Sequence, residues 1–163
     1  MSQPDLKQLV AQEYVKCAKD PAYFMRKYCY IQHPTRGRIL FNLYPFQEGV
    51  LHLFRDNQYI ITLKSRQLGI STLAAAYSLW LMIFHKDKNV LALAITQATA
   101  RNLVTKTIFM YENLPNWLRL PFTEKNKLSL RLKNGSKITA KSSNSDAARS
   151  EAVSLLLIDE AAF

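Results

Sequence analysis

The chain has 163 residues, 48% of them apolar and only 4 Gly and 6 Pro, which suits one domain with a real core and excludes a disordered or fibrous chain. Its 22 Lys and Arg against 12 Asp and Glu give a formal net charge of +10. Such a surface attracts polyanions (nucleic acid, nucleotide phosphates or an anionic membrane), with plain solubility as the alternative.

The first residues are polar, so no secretory signal is expected. Residues 4–18 read as an amphipathic helix with Leu6, Leu9, Val10 and Tyr14 on one side. Asp20-Pro21 opens a second helix, with Asp as N-cap and Pro at the first helical position, and His33-Pro34 ends it. Cys17 and Cys29 fit neither a metal pair nor a disulfide framework and are expected to be reduced and half-buried. His33, His52 and His85 are scattered, with no ligand pattern around them.

Arg38 to Leu43 reads as a short extended segment, and Pro45 starts a helix to about Arg55. Gln58 to Leu63 is β-rich and predicts a strand; 64–71 is a loop, followed by an apolar helix from Ser71 to His85. The longest apolar run in the chain, Leu73 to Phe84, is broken by Ser78. It falls short of the roughly 20 residues that span a bilayer. Asn89 to Ile95 reads as a buried strand and Gln97 to Asn113 as a helix. Pro115 and Pro121 bracket a short helical turn containing Trp117.

Lys127–Leu132 and Ser136–Lys141 flank Asn134-Gly135, a strong short hairpin signal. Asp146 to Glu151 reads as one helical turn, and Val153 to Ile158 as a third buried strand. Strands alternating with helices predict an α/β fold with a mainly parallel sheet.

Two places carry chemistry. The first is the loop Lys64-Ser65-Arg66-Gln67-Leu68-Gly69-Ile70-Ser71-Thr72, between a predicted strand and its helix. Backbone N–H groups at a helix start bind oxyanions, helped by the helix dipole. Gly69 allows close approach of a phosphate, and Ser71 sits where a hydroxyl ligands Mg²⁺. The match to G-x-x-x-x-G-K-[ST] is incomplete, because Ile70 holds the Lys position and Lys64 the first Gly position. Lys64 then supplies the cation from the other end of the loop, with Arg66 as a second. An ordinary strand-to-helix turn with a polar N-cap is the alternative.

The second place is the run Leu155-Leu156-Leu157-Ile158-Asp159-Glu160, with two carboxylates closing an apolar strand. Ligands of parallel α/β sheets bind beside such strand ends. Asp159 is the candidate Mg²⁺ holder, and Glu160 the residue that orients and activates an attacking water. Acids answering a helix dipole are the alternative.

Together these segments resemble the terminase large subunits of tailed phages, in their amino-terminal ATPase domain. Asp20-Pro21-Ala22-Tyr23-Phe24 and Leu43-Tyr44-Pro45-Phe46-Gln47 are similar to the family's amino-terminal segment, and Ser65-Arg66-Gln67-Leu68-Gly69 to its Walker A core. Asn134-Gly135-Ser136, Ser142-Ser143, Ala148-Arg149 and Ile158-Asp159-Glu160-Ala161 follow in family order. Two departures stand out: the displaced lysine, and Ser150 where many members have Gly.

The resemblance implies a P-loop NTPase of the additional-strand, RecA-like type. Residues 1–56 would form a helical segment with the adenine-contacting Gln47, and 57–163 a partial ATPase core from Walker A to Walker B. It implies ATP and Mg²⁺ as cofactors, with Arg149 an arginine finger or sensor, or else a surface arginine. Duplex DNA, a portal protein, a small terminase subunit and, in the full-length protein, a homo-oligomeric ring are the implied partners. The implied place is the host cytoplasm, with no membrane.

The resemblance also implies that an additional strand, later in sequence, lies between the two motif-bearing strands. The chain is therefore expected to be a piece of a longer protein, with weak or no ATPase activity alone. A helicase-like ATPase, or a fragment that binds nucleotide or nucleic acid without turnover, are the other readings. The basic residues Lys125, Lys127, Arg131, Lys133, Lys137 and Lys141 read as a solvated hairpin face or a contact to DNA phosphates or a ring neighbour.

Overall fold

The computed structural model describes residues 5–143 and 152–159. In chain order the elements are α1 (Leu6–Lys19), α2 (Pro21–Tyr28), β1 (Tyr30–His33), β2 (Gly37–Leu40), α3 (Pro45–Asp56) and α4 (Ile70–Phe84). They continue with β3 (Asn89–Ala94), α5 (Gln97–Glu112), β4 (Phe122–Lys125), β5 (Ser129–Leu132), β6 (Lys137–Ser142) and β7 (Leu155–Ile158).

Helix starts follow local chemistry. The Asp20 carboxylate accepts from the N–H groups of Ala22 (2.8 Å) and Tyr23 (3.1 Å), with Pro21 as the first helical residue of α2. Thr96 accepts from the Thr99 N–H at 3.2 Å and starts α5 in the same way. Helix α4 is apolar on every side and lies inside the molecule, with Leu73, Leu79 and Met82 fully buried. Each such side chain contributes roughly 1.5–3 kcal/mol by burial. The amino-terminal helices share this core: Trp80 donates its indole N–H to the Cys17 carbonyl at 2.8 Å, and Phe24 and Tyr14 meet Phe84 edge-on.

A five-stranded sheet has the order β4-β5-β6-β3-β7. Strand β3 pairs in parallel with β6 (Val90 opposite Ile138) and with β7 (Val90 opposite Leu155). Strands β4, β5 and β6 pair antiparallel in turn, so β5 alone runs against the other four. Helix α5 packs on β3 and β6, α4 packs on α5, and α2 and α3 reach α4.

The Asn134-Gly135 hairpin forms as expected, and its turn docks on the end of α4. Asn134 donates to the carbonyls of Met82 (2.8 Å) and His85 (3.1 Å), and Ser136 donates to His85 at 2.9 Å. These bonds satisfy carbonyls that a helix end otherwise leaves orphaned.

Several expectations need correction. Residues 58–63 form no strand: Tyr59, Ile61 and Leu63 are 84–102% exposed, and the stretch joins no ladder. β-rich sequence becomes a strand only beside a hydrogen-bonding partner, and among the described residues none lies there. Strand β7 is open on one face rather than buried, with Leu156 and Ile158 45% and 56% exposed, because it forms a sheet edge among the described residues. Helix α2 ends at Tyr28, ahead of His33-Pro34, because Tyr30–His33 pairs with β2 as an antiparallel hairpin.

Strand β4 is an element not foreseen. Between Pro115 and Pro121 the single turn around Trp117 forms as expected, with the Leu118 and Arg119 N–H groups donating to the Pro115 carbonyl at 3.0 and 3.1 Å. Cys17 and Cys29 are free thiols and fully rather than half buried; burial pushes the Cys17 thiol up to about 11 and the Cys29 thiol higher still. The turn expected at 146–151 lies outside the described residues.

Candidate nucleotide site

The loop 65–69 leads directly into α4. Gly69 is the N-cap residue with a left-handed backbone (φ +72), and Gln67 is also left-handed (φ +65). Such backbone suits glycine, because an L side chain there crowds the following carbonyl. Unlike α2 and α5, α4 has no side-chain cap. Its leading N–H groups therefore donate no hydrogen bond to a capping side chain.

Ser71 Oγ, in the first turn of α4, donates to Asp159 Oδ2 at 3.0 Å. Asp159 immediately follows β7, and its N–H donates to the Leu93 carbonyl of β3 at 3.0 Å. The loop and the strand end thus meet in one place, although the two residues stand 88 positions apart. A hydroxyl and a carboxylate are hard oxygen donors of the type Mg²⁺ takes, so this pair fits that cation.

Lys64, Ser65, Arg66, Gln67 and Leu68 are exposed, and Ser71 and Thr72 are partly so. Ile70, at the usual lysine position, is 9% exposed and packs inward. Lys64 opens the loop and is exposed. Lys106 of α5 is a further cation in the neighbourhood, one that the sequence did not reveal. Crowding by protein lowers its pKa, although the residue keeps solvent access; nearby Asp159 raises it and nearby Lys64 lowers it again. Lys106 therefore lies within electrostatic range of both Asp159 and Lys64. The only sequence signal for Lys106 was a charge on a helix whose Leu103, Val104 and Thr107 are buried.

Gln47 is 1% exposed. Its Oε1 accepts from the Tyr44 N–H at 3.0 Å, and its Nε2 donates to the Leu68 carbonyl at 3.0 Å. Beside it Tyr44 and Phe46 lie face to face in solvent, 63% and 45% exposed, with centroids 5.7 Å apart. Glu160 and Arg149 lie outside the described residues. The basic hairpin sits at the β4 edge of the sheet, opposite β7, where Lys125 pairs with Glu112 at 2.7 Å.

Residues 61–163 match the profile of a family described as terminase large subunit, T4likevirus-type, N-terminal. The chain belongs to the terminase large subunit family. The match spans most of the chain and both halves of the site. The fold is similar to that in the crystal structure of the HK97 bacteriophage large terminase, with a TM-score of 0.69 and 18% identity, covering 88% of this chain and 31% of that one. The chain thus spans about a third of that terminase. Among the described residues no helix is long and apolar enough to cross a membrane.

Proposed function

We propose that this terminase chain is the ATP-binding and hydrolysing module of a motor that drives double-stranded DNA into a procapsid. The observation that carries the reading is the 3.0 Å contact between Ser71 and Asp159, which joins the loop to the strand end within a family-matched segment.

In this reading the N–H groups at the start of α4 hold the phosphates of ATP. Lys64 stands in for the lysine missing at Ile70, and Arg66 adds charge from the same loop. Ser71 and Asp159 would hold Mg²⁺, which neutralises charge on the β- and γ-phosphates when bound. Glu160 orients the attacking water, and Arg149 serves as finger or sensor in the working motor. Portal protein, small terminase subunit, a ring of copies in the full-length protein and the host cytoplasm are the partners and place that this reading assigns, supported by family membership. The formal net charge of +10 suits a partner as anionic as duplex DNA.

The test is ATP binding with and without Mg²⁺ for the wild type, Ser71→Ala and Asp159→Asn. The reading expects Mg²⁺ to tighten wild-type binding by tenfold or more, on the order of 1.4 kcal/mol, with both variants losing that gain. An Asp159→Asn protein that keeps the full Mg²⁺ gain would end the assignment.

A further inference from the structure

Gln47 stands in the segment where the family resemblance implies contact with adenine, yet the side chain is turned into the protein. At 1% exposure, both ends of its amide are engaged with backbone: Oε1 with the Tyr44 N–H and Nε2 with the Leu68 carbonyl, each at 3.0 Å. The backbone of the next residue is pressed against the same amide. A Cβ on Gly69 would stand 2.7 Å from Gln47 Nε2. What faces solvent here is the ring pair of Tyr44 and Phe46.

We propose that Gln47 is a positioning residue of the phosphate loop: its amide holds Leu68–Gly69 in the left-handed turn that aims the first N–H groups of α4, and it acts on the phosphates rather than on the base. The inference rests on the triphosphate reading of the same loop. A buried amide donating to a carbonyl is costly to leave unpaired, so the loop carbonyl stays where Gln47 holds it. Glu at this position keeps the acceptor for Tyr44 and loses the donor to Leu68, which separates capping of α3 from bracing of the loop.

The experiment compares Mg-ATP with Mg-tripolyphosphate, which carries no base, on the wild type and on Gln47→Glu. Thermal unfolding confirms that the variant is folded. A brace predicts that both affinities fall by a similar factor, about tenfold. It also predicts faster amide hydrogen exchange across residues 68–73 in the absence of any ligand. Loss of ATP affinity with tripolyphosphate unaffected, and unchanged exchange, would overturn it.

A wild-type measurement needs no variant. The Gln47 side-chain amide resonances should shift alike with either ligand, and a shift with ATP alone contradicts the proposal. If the wild type binds neither ligand, the triphosphate reading fails, while the ligand-free exchange rates still decide whether Gln47 braces the loop.

Discussion

Replacing Gly69 by alanine tests the geometry of the loop without touching a charge. The backbone at Gly69 has φ +72, a conformation that costs an L residue about 1–2 kcal/mol. The new Cβ would also stand 2.7 Å from Gln47 Nε2. That amide cannot swing aside freely, because Gln47 is 1% exposed and bound at both ends. Giving up its bond to Leu68 costs about 0.5–1.5 kcal/mol more. The sum is roughly 1.5–3.5 kcal/mol, or a fall in Tm of about 3–14 °C for a domain of this size.

Gly49→Ala is the matched control. Gly49 lies inside α3, with nothing within 4 Å of an added Cβ and an ordinary φ, so alanine should stabilise by about 0.5–1 kcal/mol. Urea unfolding of the two variants beside the wild type reads both numbers. A Gly69→Ala protein within 0.5 kcal/mol of the wild type would refute both the left-handed turn and its contact with Gln47.

Asn134→Ala removes donors to Met82 and His85 and an acceptor for the Ser136 N–H, so it should cost about 1–3 kcal/mol in chemical unfolding. Leu79→Ala, in the fully buried centre of α4, should cost about 2–5 kcal/mol in the same assay. Lys106→Met should weaken Mg-triphosphate binding about threefold to tenfold in titration calorimetry while leaving the melting temperature nearly unchanged.

Glu13 accepts from Lys27 at 2.6 Å and from the hydroxyls of Tyr23 and Tyr28 at 2.8 Å, and these bonds hold its carboxyl down at about 2. A carboxylate with a depressed folded pKa stabilises fully above its unfolded value near 4.5. That contribution should fade as pH falls from about 4.5 towards 2, and Glu13→Gln should flatten this part of the stability–pH curve by about 1 kcal/mol, reduced by the exposure of Lys27.

Local chemistry made much of the fold legible. Asp20-Pro21 and Asn134-Gly135 each encode their structure within a few residues, and the apolar run of α4 announces a buried helix. The error at 58–63 has the opposite origin. Its alternating Tyr59, Ile61 and Leu63 have the pattern of a strand, but a strand also needs a neighbour, and a sequence does not say where neighbours lie. β4 escaped notice for a related reason: Phe122–Lys125 is exposed throughout, and what holds it lies elsewhere in the chain, in pairing with β5 and contacts to Tyr111 and Glu112.

At the site, Ser71 and Asp159 were legible because each lies in a recognisable segment. Lys106 was not, since its relevance comes from the packing of α5 beside β3 and β6. Gln47 was legible as a residue of interest, but the direction of its amide was not, because burial is decided by the fold.

The measurement closest to the heart of the account locates the divalent cation. Crystals grown with ATP analogue and Mn²⁺ in place of Mg²⁺ would mark the ion by its anomalous scattering. The account predicts a peak about 2–2.5 Å from Ser71 Oγ, with Asp159 bound directly or through one water. A Mn²⁺–nucleotide complex seated away from both residues would contradict it.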